Sequence, residues 1–309
     1  MSVSKQPVDN TAEYRQRICR AIDFINTHLA EGPSVAEVAR AAPFSSFHFQ
    51  RLFRAIIGET VAEFTRRLRL ETAARHLRHR REGDITALAF ELGFSSSQNF
   101  AKAFKKHFGV SPSQYREQAL DDVGRGSKSS FTVNHGPAQV TLPTSSVCAT
   151  SAELSVEVRS VPGYRVAYRR HFGSYSDPGV QAAFDELVRW AKPRGLDLLE
   201  RYLGIPWDDA DVTDDDKCRF DACLVVPGDV RLEGSLNFQL IPQARYAVHQ
   251  CEVTANDSDL PWTRLMRDWL PGSGFQPADG PRFERYLNDG SLDPEGHWQM
   301  EICLPVKPL

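Results

Sequence analysis

Apolar positions fall into two regimes along this chain of 309 residues. Up to about residue 120 they recur at helical spacing, as in the stripe Ile18, Ile22, Ile25 and Leu29. Beyond about residue 151, runs such as RVAYRRHF and FDACLVV read as strands, with fewer helices between them. The stretch from Asp121 to Thr150 is rich in Gly, Ser and Thr and shows no sustained helical pattern. The expected organisation is multi-domain: an all-α unit over residues 1–120, a linker over 121–150 and an α+β unit over 151–309.

Both halves repeat internally. Val35, Ala39, Phe44, Ser45 and Ser46 recur fifty residues later as Ile85, Ala89, Phe94, Ser95 and Ser96. After a one-residue shift, Phe49, Phe53, Gly58 and Phe64 recur as Phe100, Phe104, Gly109 and Tyr115. In the second half, Pro162, Arg165, Ala167 and Cys223 recur eighty residues later as Pro242, Arg245, Ala247 and Cys303. The tetrapeptide ERYL stands at both 200–203 and 284–287, which makes Glu200 the expected counterpart of Glu284. Each second-half unit reads as two strands, a helix and two strands, so a duplicated β-β-α-β-β fold with a central cleft is predicted.

Each first-half repeat has the grammar of a helix-turn-helix. A short helix from Val35 or Ile85 leads into a tight turn, and Ser45/Ser46 or Ser95/Ser96 offer hydroxyls that cap a second helix. Capping boxes are expected at Ser34 with Glu37, Thr60 with Glu63, and Ser111 with Gln114, where Pro112 opens the helix. Phe49 and Phe53, or Phe100 and Phe104, pin the second helix to the core. Its other face carries Phe47, Gln50, Arg51 and Arg54 in the first unit, and Ser97, Gln98, Lys102, Lys105 and Lys106 in the second. Such a face is either simply solvated or a DNA reader: Arg pairs bidentately with guanine, Gln with adenine, and Lys suits phosphates. Gly93 offers a left-handed turn in the second unit where the first has Pro43, which cannot adopt one.

Charge supports the DNA reading. Residues 1–120 hold 18 Lys and Arg against 12 Asp and Glu, and the remainder 19 against 28. No apolar run is long enough for a membrane span, and the N-terminus lacks a signal core, so a cytoplasmic, nucleoid-associated protein is expected. Six scattered cysteines without CxxC spacing read as reduced thiols. His171, His249 and His297 lack metal-ligand spacing, and the acidic run DDADVTDDDK at 208–217 lacks the glycine and terminal glutamate of a calcium loop, so it is expected to be solvated. No metal or cofactor is expected.

The segment GFSSSQNFAKAFKKHFGVSPSQYR resembles the signature of AraC/XylS-family DNA-binding domains, over roughly residues 11–118. The resemblance implies two recognition helices joined by a long central helix, about Val61 to Arg80, entering successive major grooves. By position it implies base or backbone contacts from Phe47, Gln50 and Arg51, and from Ser97, Gln98 and Lys102.

The second half, through VPGYRVAYRRHFGSY, FDACLVVP, IPQARYAVHQ, RFERY and EICLPV, resembles the gyrase-inhibitory-protein-like effector domains of Rob-type regulators. That implies an aromatic cleft with one carboxylate, here Glu284, attracting small lipophilic or cationic molecules. Candidate walls are Tyr164, Tyr168, Phe172, Trp207, Tyr246, Trp262 and Trp298. On a strand Arg282, Glu284 and Tyr286 share one face, and Arg282 or Arg285 is the alternative, purely structural partner of Glu284. The expected function is a non-enzymatic, effector-modulated transcription regulator that binds double-stranded promoter DNA, with RNA polymerase as a further candidate partner. The alternatives are a small-molecule hydrolase using Glu284 as general base, and a protein-binding domain with an empty cleft.

Overall fold

The computed structural model describes residues 11–42, 46–79, 83–125, 154–210, 212–231, 236–254 and 260–309, with residues 11–12, 46–48, 79, 120–125 and 291 described in backbone only. The first half is helical: α1 (Thr11–Thr27), α2 (Val35–Ala41), α3 (Ser46–Ile57), α4 (Val61–His79), α5 (Ile85–Glu91), α6 (Ser97–Phe108) and α7 (Pro112–Arg125). The three expected capping boxes form. Ser34, Thr60 and Ser111 each accept from the backbone N–H three residues on, and Glu37, Glu63 and Gln114 each accept the cap's own N–H. Ser96 caps α6 by accepting from Asn99 N at 3.1 Å, and Gly109 ends it at φ 80°. The caps expected at Ser45 and the turn at Pro43 lie outside the described residues. Helix α7 runs to Arg125, beyond the start of the Gly/Ser-rich stretch, and residues 126–153 lie outside the described residues.

Helix α4 is apolar on two sides. Val61, Phe64 and Leu68 enter a core with Ile22, Phe49 and Phe53, whereas Leu70, Ala74 and Leu77 enter another with Leu88, Phe100 and Phe104. One arginine on α4 ties the units together: Arg69 donates to the carbonyls of Leu29 (2.8 Å), Ala30 (3.0 Å) and Gly93 (2.9 Å). Gly93 has φ +76°, as its place in the turn requires, and a Cβ there would stand 1.9 Å from the Ala30 oxygen.

The second half runs β1 (Glu157–Val161), β2 (Tyr164–Phe172), α8 (Pro178–Ala191), β3 (Tyr202–Pro206), β4 (Arg219–Val225), β5 (Asn237–Ile241), β6 (Ala244–Val253), α9 (Leu260–Arg264), β7 (Phe275–Pro277), β8 (Phe283–Tyr286) and β9 (Trp298–Pro308). Helix α9 continues as a π turn to Trp269. The strands form one antiparallel sheet in the order β1-β6-β9-β8-β3-β4-β2-β5, with β7 added alongside β9. Two β-β-α-β-β units therefore meet at β3 and β8 and exchange their first strands.

The register fixes which residues are mates. Gly204 pairs with Ala222 as Glu284 pairs with Ile302, and Val166 with Gln239 as Tyr246 with Arg159. Every such relation spans eighty residues. The counterpart of Glu284 is therefore Gly204, which faces it across the β3–β8 ladder. The ERYL match is out of register by four: Glu200 sits exposed in a single helical turn (Leu199–Arg201) ahead of β3.

Alternation gives the sheet two unlike faces. Ala167, Phe220 and Ala222 lie beneath α8, and Ala247, Met300 and Ile302 beneath α9. Tyr168, Leu203, Cys223 and Phe283 point the other way, and Cys19 of α1 is buried among them. At this junction Arg170, wholly buried, lies between Asp23 of α1 (2.9 Å) and Asp221 of β4 (2.6 Å). The Tyr168 hydroxyl donates to Asp23, and Trp207 and Gln239 donate to Asp221 at 2.7 and 2.9 Å. Each of these buried charges is answered by an opposite charge or a donor, although burial still holds the Asp23 carboxyl above its ordinary value.

The acidic run after β3 departs from expectation. Asp208 is only 4% exposed and is gripped by Arg219 at 2.6 Å; Asp209 lies 3.5 Å from Arg78 of α4; and Val212 joins the second helical core. Arg219 on β4, 11 residues from Asp208, and Arg78 on α4, 131 residues from Asp209, supply the countercharges that turn a solvated loop into a docking element.

Candidate DNA-reading helices and effector cleft

Gln50, Arg51 and Arg54 are exposed on α3, and Gln98, Lys102, Lys105 and Lys106 on α6. Ser97, the first residue of α6, is half-buried; the side chain of Phe47 lies outside the described residues. The backs of both helices are fixed. Phe49 and Phe53 stack edge to face at 5.6 Å, and Phe100 and Phe104 at 5.5 Å, all four fully buried. Asn99, which the sequence reading passed over, is exposed on the same side of α6, but its amide donates to Ser95 Oγ at 2.9 Å and so braces the turn. Two rigid helices thus present polar edges from a shared, clamped framework.

On the helix-covered face of the sheet, Glu284 stands between the units. Its Oε1 accepts from the Trp262 indole of α9 at 3.0 Å and its Oε2 from the Tyr286 hydroxyl at 3.0 Å. Tyr286 is boxed by Phe184 of α8 (5.5 Å) and Trp298 (5.6 Å). Burial and the Glu284 charge push its phenol well above the ordinary value, so it stays a donor. The absent side chain of Gly204 leaves the room that these groups fill: a Cβ there would be 2.6 Å from both Tyr286 Oη and Phe220 Cζ. Neither arginine weighed in the sequence as an ion-pair partner is placed as expected. Arg285 pairs with Glu301 at 2.7 Å, whereas Arg282 donates to the carbonyls of Pro206 and Asp208.

A model of the helix-turn-helix domain matches residues 15–118, and one of the GyrI-like small-molecule-binding domain matches residues 154–307. The chain is 33% identical over 133 residues to a DNA gyrase inhibitor of Escherichia fergusonii, the match covering 42% of this chain and 83% of that protein. A DNA gyrase inhibitor of Erwinia billingiae is 32% identical over 126 residues, covering 40% and 79%. The chain belongs to the AraC-type regulators that carry a GyrI-like domain. It is a DNA-binding regulator with an effector-binding domain. Among solved structures, an EcmrR–DNA complex is 17% identical with a TM-score of 0.42; the match covers 50% of this chain and 58% of that one. Among the described residues no helix is long and apolar enough to cross a membrane.

Within the GyrI-like domain, strand alternation divides the seven aromatic candidates. Trp262 and Trp298 share the face of Glu284. Tyr164, Tyr168, Phe172, Trp207 and Tyr246 do not: they pack on the opposite face, Tyr164 and Tyr246 against Phe283, and Tyr168, Phe172 and Trp207 toward the helical domain. The physical reason is the two-residue period, which puts the even-numbered positions of β2 away from α8. Phe184, Phe220 and Tyr286 stand around Glu284 in their place. Tyr286 was legible as the same-face neighbour of Glu284; Phe184 and Phe220 carry no sequence signal separating them from ordinary core.

Proposed function

We propose that this regulator reads promoter DNA with α3 and α6 in neighbouring major grooves and answers to a small lipophilic cation held at Glu284. The observation that carries the first half is the pairing of two exposed, basic helix faces on one framework. Helix α4, with 19 residues, is about 28 Å long at 1.5 Å per residue, close to the roughly 34 Å of one duplex turn. In this reading Phe47, Gln50, Arg51, Ser97, Gln98 and Lys102 reach base edges, and Arg54, Lys105 and Lys106 reach phosphates.

For the effector, a half-buried carboxylate held by two neutral donors and ringed by aromatic side chains is the chemistry that replaces a cation's lost hydration. In this reading the domain acts as a sensor, with both Glu284 oxygens accepting from Trp262 and Tyr286 and the Cys251 thiol pushed up to about 12 by burial. RNA polymerase is the further partner that a DNA-bound regulator would address, and such a protein would work in the cytoplasm, at the nucleoid.

The test is to enrich double-stranded DNA from a random library with the full chain and measure binding against salt. A steep salt dependence with a shared sequence motif is expected; binding without any motif would overturn the specific-reader assignment. Titration with benzyltrimethylammonium should give saturable binding that Glu284→Gln weakens by about tenfold or more.

A further inference from the structure

Trp262 and Arg282 make a second use of the cleft. The Trp262 indole N–H is on Glu284, and the face of the same ring lies 5.4 Å from the Arg282 guanidinium. Arg282 donates from Nη2 to the Asp208 carbonyl at 2.6 Å and from Nε to the Pro206 carbonyl at 3.2 Å. It thereby sets the path of the chain as it leaves β3, just where Asp208 meets Arg219 and Asp209 meets Arg78 of α4. Side chains of α4 and of this segment face one another directly: Glu71 and Arg75 border the same small crevice as Asp208 and Asp209. Helix α4 in turn carries the cores behind both DNA-reading helices. An unbroken run of contacts leads from Glu284 through Trp262, Arg282 and the Asp208–Asp209 segment to α4.

Both Glu284 oxygens accept hydrogen bonds, and Tyr286 and Phe220 occupy the space above Gly204. A cation seated on Glu284 competes with Trp262 and Tyr286 for the carboxylate, and displacing Trp262 takes the aromatic face away from Arg282. We infer that Arg282 is the positioning residue that couples the Glu284 cleft to the DNA-binding domain, by holding the segment after β3 against α4 until an effector moves Trp262. This rests on the reading of Glu284 as the effector's carboxylate.

The test compares the full-length wild type with R282A, R282K, R78A and E284Q, using benzyltrimethylammonium as probe and library-enriched DNA as target. Amide exchange is followed in peptides covering 70–79, 207–217 and 97–108. In R282A, and in R78A, which breaks the same contact from α4 without touching the cleft, exchange in 70–79 and 207–217 should rise about threefold or more with 97–108 unmoved. The probe should change the DNA affinity of the wild type and R282K by about fivefold or more, and leave that of R282A unchanged although R282A still binds the probe. Wild-type exchange in both R282A and R78A, or a DNA response retained in R282A, overturns the coupling. Probe binding that survives in E284Q, or fails in the wild type, overturns the carboxylate reading alone. The exchange comparison then still decides whether Arg282 holds the segment.

Discussion

Gly204 and Glu284 face each other across the β3–β8 ladder as mates under the internal repeat, one without a side chain and the other with the cleft's carboxylate. At this mated pair of positions the duplication thus leaves one carboxylate, with an aromatic lining packed into the space its mate leaves empty. Gly204→Ala should push Tyr286 and Phe220 aside and weaken the Tyr286–Glu284 hydrogen bond. Overpacking of this kind costs about 1–3 kcal/mol, read as a lower urea midpoint.

Gly93→Ala attacks the framework instead. A methyl group there meets the Ala30 carbonyl and the Arg69 guanidinium, and a positive φ disfavours any side chain. The expected loss is about 2–4 kcal/mol in urea unfolding, accompanied by weaker DNA binding because the two units lose their common clamp.

At the proposed DNA surface, Arg51→Ala should cost about 1–3 kcal/mol on the enriched sequence and less on random DNA. Equal losses on both would make Arg51 a phosphate contact. Lys105→Ala and Lys106→Ala should each lower the slope of log affinity against log salt by about 1.

The docked acidic segment predicts a pH dependence. Burial alone would raise the Asp208 carboxyl, but Arg219 beside it, together with Arg67 and Arg75, outweighs burial and holds it below the ordinary value of 3.8. A depressed carboxyl contributes stability that is complete above the unfolded value and is lost as pH falls through the folded one. Wild type and Asp208→Asn should therefore differ most in urea midpoint above pH 5 and converge below about pH 3.8. A constant difference down to pH 3 would refute the assignment.

Asp23→Ala leaves Arg170 with Asp221 alone and removes the acceptor of the Tyr168 hydroxyl. We expect a loss of about 2–4 kcal/mol, seen as faster proteolysis between the domains while each domain keeps its own circular dichroism.

Local chemistry was legible in the chain. Helix starts at Ser34, Thr60 and Ser111 are written in side chains three residues apart, and the buried phenylalanines of α3 and α6 repeat at one-turn spacing. The exposed basic positions follow directly from those buried ones, because a helix has only one other side. The eighty-residue repeat likewise announced the duplicated sheet. What the chain could not declare was which face of that sheet held the cleft, since alternation separates residues into two sets without saying which set meets α8 and α9 and which meets α1. Hence Tyr168 and Trp207 lie toward the DNA-binding domain while Phe184 and Phe220 surround the carboxylate side. Pairing of Asp208 with Arg219 and of Asp23 with Arg170 was likewise decided by tertiary packing, because a charge's partner depends on distance in space and the countercharges come from other elements.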